Sequence, residues 1–97
     1  MDIQIKADVG DYVYTYPTFF TTPFKNGDKV MIRSIFRNIE LVDYEINLSH
    51  IKRVHGDNYK IINKEDRAYI IYNGYLLEGH DTIYAECDFE SSPKTLK

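Results

Sequence analysis

Polar and apolar residues alternate without a break at the start of the chain. Ile3, Ile5, Ala7 and Val9 hold one parity, and Asp2, Gln4, Lys6 and Asp8 the other. A period of two places these sets on opposite faces of a strand, which predicts a first strand near a sheet edge. After Gly10, Asp11-Tyr12-Val13-Tyr14-Thr15-Tyr16 is aromatic and β-branched up to Pro17 and predicts a second strand. Lys29 to Phe36 and Leu41 to Leu48 read as two arms of a hairpin turning near Arg37-Asn38. In its second arm Val42, Tyr44, Ile46 and Leu48 face inward, while Asp43, Glu45 and Asn47 face water.

Ser49 to Val54 suits a helical turn capped by Ser49 and closed by the loop His55-Gly56-Asp57-Asn58; it is too short to found an α layer. A further hairpin is predicted over Tyr69 to Leu77, because Asn73-Gly74 tolerates the positive φ angles of a type I′ turn. Thr82 to Phe89 predicts the last strand, with Ile83, Ala85, Cys87 and Phe89 toward the core and Tyr84, Glu86 and Asp88 toward water. Ser91 to Lys97 is expected to be a loose tail.

Roughly seven short strands separated by turn signals predict a mainly all-β fold, since a flat sheet of that many strands leaves its edges open. The expected form is a small antiparallel SH3-like barrel or a rolled sheet, one domain over residues 1–90 with a tail over 91–97. A chain of 97 residues supports one core and no deep cleft between lobes. With 43% hydrophobic and 28% charged residues it is too apolar for a disordered chain.

The formal charge of -3 argues against coating of duplex nucleic acid, which draws on clustered Lys and Arg. Met1-Asp2-Ile3-Gln4 lacks the basic start of a secretory signal, and no apolar run spans a bilayer, so a cytoplasmic location is expected. Cys87, the one cysteine, has no partner for an internal disulfide, and its alternation with Ile83, Ala85 and Phe89 aims it at the core.

Catalytic patterns are not assembled. His50, His55 and His80 lack the spacing that brings two imidazoles onto one metal, and Glu78, His80 and Asp81 read as a solvated turn beside glycine. No nucleophile elbow, phosphate loop or dinucleotide fingerprint is present, so no cofactor, no metal and no enzymatic activity are expected. Glu86, Asp88 and Glu90 recur at period two and read as an acidic face in water.

Binding features carry more. Tyr16 to Phe24 reads Tyr-Pro-Thr-Phe-Phe-Thr-Thr-Pro-Phe, so Phe19, Phe20 and Phe24 lie in a Pro-punctuated loop. They either plug the end of a small barrel or supply a hydrophobic contact surface. Tyrosine occurs nine times, with Tyr12, Tyr14 and Tyr16 on one strand face and Tyr69, Tyr72, Tyr75 and Tyr84 around the later strands. Exposed members suit protein contacts or stacking of unpaired bases. Residues 76–90 hold Glu78, Asp81, Glu86, Asp88 and Glu90 with no Lys or Arg, whereas Lys52, Arg53, Lys60 and Lys64 make a modest basic stretch diluted by Asp57, Glu65 and Asp66.

Gly10-Asp11-Tyr12-Val13-Tyr14, the strand Lys29-Val30-Met31-Ile32-Arg33-Ser34-Ile35 and the closing Asp88-Phe89-Glu90-Ser91 together resemble small SH3-like barrel proteins encoded by phages and mobile elements. That resemblance implies residence in a host cytoplasm and action by occupying a partner's surface, as inhibitors of bacterial defence systems do, anti-CRISPR proteins among them. The leading expectation is therefore a non-enzymatic protein-binding module. Tyr16, Phe19, Phe20 and Phe24 anchor it, and Glu86, Asp88 and Glu90 approach a basic groove on the partner. The competing expectation is a single-stranded nucleic-acid binder using Tyr12 and Tyr14 for stacking and Arg33, Arg37, Lys52 and Arg53 for phosphates. In either form it is expected as a monomer or a weak homodimer paired through an edge strand, with no membrane partner.

Overall fold

The stretch from Asp28 to Val42 does not turn at Arg37-Asn38. In a computed structural model, which describes residues 3–17, 21–42 and 47–94, it forms one continuous 15-residue strand, β2 (Asp28–Val42). Its neighbour is β4 (Arg67–Leu77), antiparallel to it from Ile32↔Leu77 to Val42↔Tyr69. The expected turn residues form a bulge instead. Phe36 faces Gly74 and Ile39 faces Tyr72, so Arg37 and Asn38 are inserted opposite Asn73, and Asn38 takes φ 57°. Leu41 and Val42 pair with Ile70 and Tyr69, so the arm expected to fold back on residues 29–36 runs on past them. Tyr44 and Ile46 lie outside the described residues, and Leu48 begins a helix with its side chain exposed rather than inward.

Asn73-Gly74 is likewise no turn. Both are buried in the middle of β4, and the Asn73 amide spans the bulge, accepting from Asn38 N (3.1 Å) and donating to Gln4 O (3.3 Å). Gly74 serves close approach: a Cβ there would lie 2.4 Å from Ile83 Cγ2 and 2.7 Å from Ile39 Cδ1. The true hairpin joins β3 (Tyr59–Lys64) to β4 through Glu65 and Asp66, whose φ values of 52° and 60° are those a type I′ turn demands.

Residues 3–9 form no strand. Their backbone is held by side chains: Lys6 N donates to Tyr75 Oη (3.0 Å) and Asp8 N to Asp11 Oδ2 (2.9 Å). Ile3 is buried but Val9 is exposed, so the period-two pattern does not become a buried face. β1 (Tyr12–Thr15) does form, with Val13 and Thr15 inward, and it pairs with β2. Helix α1 (Leu48–His55) is longer than expected, and its cap is Asn47, whose Oδ1 accepts from His50 N, in place of Ser49.

The last predicted strand is broken in three. β5 (Ile83–Tyr84) pairs with the end of β4, a 3-10 turn covers Glu86–Asp88, and β6 (Phe89–Glu90) pairs with β1. The turn resets the side-chain phase. Tyr84, Glu86 and Asp88 are buried, while Ile83 is exposed and Cys87 half-buried, the inverse of the alternation except at Phe89.

The sheet order is β3-β4-β2-β1-β6, with β5 on the outer edge of β4 beyond the reach of β3. Because β5 and β6 lie at different edges and are joined by the short 3-10 turn, the sheet must curl, and the result is a mainly β half-barrel with one helix. Val13, Ile32, Tyr75, Leu77, Tyr84 and Phe89 fill the curl, with Ala7, Phe24, Val30 and Ile35 against them.

Candidate functional site

Two cavities lie on either side of the end of α1, and Val54 lines both. The first, about 540 Å³, is polar and is bordered by Lys6, Lys52, Arg53, Asn58, Glu86 and Cys87 among others. Its floor is set by the 3-10 turn, in which Asp88 Oδ2 accepts from Ala85 N (3.0 Å) and so turns Glu86 inward. Both Glu86 carboxylate oxygens are occupied: Tyr75 Oη donates to one and Asn58 Nδ2 to the other, each at 2.7 Å. Lys6 Nζ donates to the carbonyls of Glu86 (2.7 Å) and Phe89 (2.5 Å) and stands 3.5 Å from Glu90 Oε2.

Burial raises the Glu86 carboxyl above its ordinary value against the opposing pull of Tyr75, Asn58 and Lys6, and it raises the Tyr75 hydroxyl as well. The Cys87 thiol is pushed up to about 11, first by burial and then by the Asp88 charge, so it stays protonated at neutral pH and is a poor nucleophile. What this network does chemically is join the N-terminal segment, β4, the 3-10 turn and β6.

The second cavity, about 340 Å³, is apolar. Ile39 of β2 and Ile70 and Tyr72 of β4 line it on the sheet side with the half-exposed Leu41 of β2 at the rim, and Val54 and His55 of α1 and Ile83, Tyr84 and Ala85 complete the lining. Direct pairing of Ile39 with Tyr72 and Leu41 with Ile70 puts these side chains on one face. Leu41 and Ile83 remain 52% and 51% exposed. The His55 ring stacks on Tyr72 at 4.5 Å, and its Nδ1 is buried with no hydrogen-bond partner among the described residues. Burial, then the nearby His50, lowers the His55 pKa below its ordinary value.

The residues singled out by sequence are dispersed. Glu86 and Asp88 are buried, and Glu90 is tied to Lys6, so the acidic face expected in water is a structural joint. Phe24 is half-buried against the core, edge-on to His80 and tilted against Tyr84, whose hydroxyl meets Thr22 Oγ1 (2.6 Å) and His80 Nδ1 (2.7 Å). It is a core plug, while Phe19 and Phe20 lie outside the described residues. The Tyr16 hydroxyl accepts from Lys94 N (2.7 Å).

Tyr12 and Tyr14 do share a face, Tyr12 is 58% exposed, and Lys29 Nζ lies 5.2 Å from its ring. Arg33 is paired with Asp81 (2.7 Å), Arg37 sits in the bulge, and Lys52 and Arg53 border the polar cavity, so these four do not make one basic surface. Leu41, Ile83, Tyr72 and His55 were not picked out as a group by any sequence pattern.

Among the described residues no helix is long and apolar enough to cross a membrane, and no three His, Cys, Asp or Glu side chains converge as metal ligands. Comparison with protein-family models, with curated proteins and with solved structures finds no match to this chain.

Proposed function

We propose that this protein is a non-enzymatic protein-binding module that accepts an apolar side chain of its partner in the groove between β2, β4, β5 and α1. The observation that carries this reading is the pair Leu41 and Ile83, two aliphatic side chains about half exposed on the rims of a 340 Å³ apolar cavity. Paired apolar rims around a cavity favour an aliphatic or aromatic anchor, the usual centre of a protein interface. Among the described residues no formally charged side chain lines the cavity, which favours an uncharged anchor over a phosphate or a carboxylate. The more specific form, a phage-type inhibitor occupying the surface of a host defence protein such as a CRISPR effector, rests on the family resemblance alone.

The test compares capture from a bacterial lysate by the wild type and by Leu41→Gln, each shown to be folded by its thermal transition. A protein held by the wild type and lost from the variant is the expected outcome. Identical capture by both, or none by either, overturns the groove as the binding site.

The second reading, binding of single-stranded nucleic acid, is favoured by one observation, the exposed Tyr12 ring beside the Lys29 ammonium. Fluorescence anisotropy with labelled single-stranded oligonucleotides at low salt separates it. Binding weakened by Tyr12→Ala supports stacking, and no change in anisotropy rules this reading out.

A further inference from the structure

The edges of the sheet are treated unequally. β5 and β6 are two residues each, short enough to offer no template to another strand. β3 is different: six residues, paired with β4 in unbroken register from Tyr59↔Tyr72 to Lys64↔Arg67, with no proline, glycine or bulge. Among the described residues β4 is its only strand partner, so its outer backbone donors and acceptors form a regular open ladder.

We propose that this edge pairs with the β3 edge of a second copy of the chain, antiparallel about a two-fold axis through Ile61. Such an axis keeps equivalent faces together, so only registers pairing residues of equal parity are allowed. Centred on Ile61, the pairing sets Ile61 against Ile61, Tyr59 against Asn63 and Lys60 against Ile62, and no lysine faces a lysine. Shifted to Ile62, it sets Lys60 against Lys64, which like-charge repulsion disfavours. Lys64 is moreover already held by Glu40 at 2.9 Å and lies over the Tyr69 ring at 4.8 Å, so it does not guard the edge as a free charge would.

The chosen register also continues an apolar face. Ile61 lies directly opposite Ile70, and Ile70 opposite Leu41, so the row Leu41, Ile70, Ile61 meets its symmetry mate without interruption. Only one short strand per copy is joined, which places the contact in the weak class: monomer at about 10 µM and dimer at about 1 mM. This association is independent of the partner groove proposed above and stands or falls separately.

Sedimentation equilibrium over that concentration range tests it, with Ile61→Lys placing two ammonium groups across the axis. The expected result is a concentration-dependent dimer for the wild type and a monomer throughout for the variant. Because Ile61 is half-buried and the variant could unfold, Ile61→Cys in a Cys87→Ser background supplies a second readout. Oxidation should link it into dimers at least tenfold faster than Lys60→Cys in the same background. A wild type monomeric at 1 mM, a dimer that persists in folded Ile61→Lys, or equal cross-linking rates for the two cysteine variants overturns the proposal.

Discussion

The two cavities beside α1 differ in what their walls still have to give. In the polar one the groups at its floor are answered within the chain: Glu86 by Tyr75 and Asn58, Lys6 by two carbonyls and Glu90. In the apolar one Leu41 and Ile83 are half exposed with nothing over them among the described residues. A group that is paired and buried holds a fold together, and removing its partner strands a desolvated charge or donor. A group that is apolar and exposed contributes little to folding and is available to a partner. Charge and titratability, which draw the eye in the sequence to Glu86, Asp88 and Cys87, therefore mark the joint of this molecule rather than the groove proposed as its contact surface.

The largest effect expected from this contrast is on the joint. Glu86→Ala removes the acceptor for both Tyr75 and Asn58 and opens a void under the 3-10 turn, and a loss of about 2–4 kcal/mol is expected. Urea denaturation measures it. A loss below about 0.5 kcal/mol, the range of ordinary surface substitutions, would break the contrast.

Gly74→Ala comes next and acts on two side chains that line the apolar cavity. The new methyl group would meet Ile83 Cγ2 and Ile39 Cδ1 well inside contact distance. Pushing Ile83 outward costs about 1–3 kcal/mol, as overpacking does elsewhere. Combining it with Ile83→Ala should restore part of that loss, because the tighter of the two clashes is with that side chain while the contact with Ile39 remains. A double variant no more stable than Gly74→Ala would show that Ile39 or the backbone, and not Ile83, demands the glycine.

These two positions also show what sequence could and could not convey. β1 follows from the aromatic and β-branched run at Asp11 to Tyr16, and a curled, mainly antiparallel β fold follows from many short β-rich runs. Two readings fail, and one turn goes unread, for one physical reason: period and propensity act locally, whereas a bulge or a turn is decided by distant partners. Asn73-Gly74 permits a turn but is recruited to span the bulge at Asn38 and to admit Ile83. Glu65-Asp66 makes the actual turn without the preferred dipeptide, because β3 and β4 pair in full around it. The 3-10 turn at Glu86–Asp88 breaks the side-chain alternation and brings Glu86 and Asp88 inward. The apolar groove was illegible because its walls come from four elements far apart in sequence.

A smaller effect separates the regions by pH, since each holds a titratable group shifted by burial, His55 partly buried and Glu86 fully, and the two act with opposite sign. His55, beside the apolar groove, has a pKa lowered from 6.5, so the unfolded chain binds the proton more readily. Stability present above pH 6.5 is lost as the pH falls below it toward the folded-state value. Glu86, in the polar cavity, has a pKa raised from 4.5, so the folded state takes the proton first, and acidification from the raised value down to 4.5 adds stability. His55→Leu should flatten the decline in unfolding midpoint as the pH falls below 6.5, and Glu86→Gln should remove the gain that accompanies acidification toward pH 4.5. Variants that leave the slope unchanged would mean that neither group differs in proton affinity between the folded and unfolded states.

The smallest expected effect on stability is at Leu41, and there the contrast is sharpest. Its side chain is 52% exposed and sits at the groove rim opposite Ile70. Exchange for glutamine removes little buried area, so unfolding should shift by no more than about 0.5 kcal/mol. The same exchange places an uncompensated amide on the rim that a partner's apolar anchor would have to cover, and desolvating it costs about 1–3 kcal/mol at the interface. Affinity for a captured partner should accordingly fall roughly ten- to a hundredfold in a protein of nearly unchanged stability. If Leu41→Gln instead unfolds the protein as readily as Glu86→Ala, then Leu41 belongs to the core. The groove would then be a packing defect between helix and sheet, and the division between joint and contact surface would no longer hold.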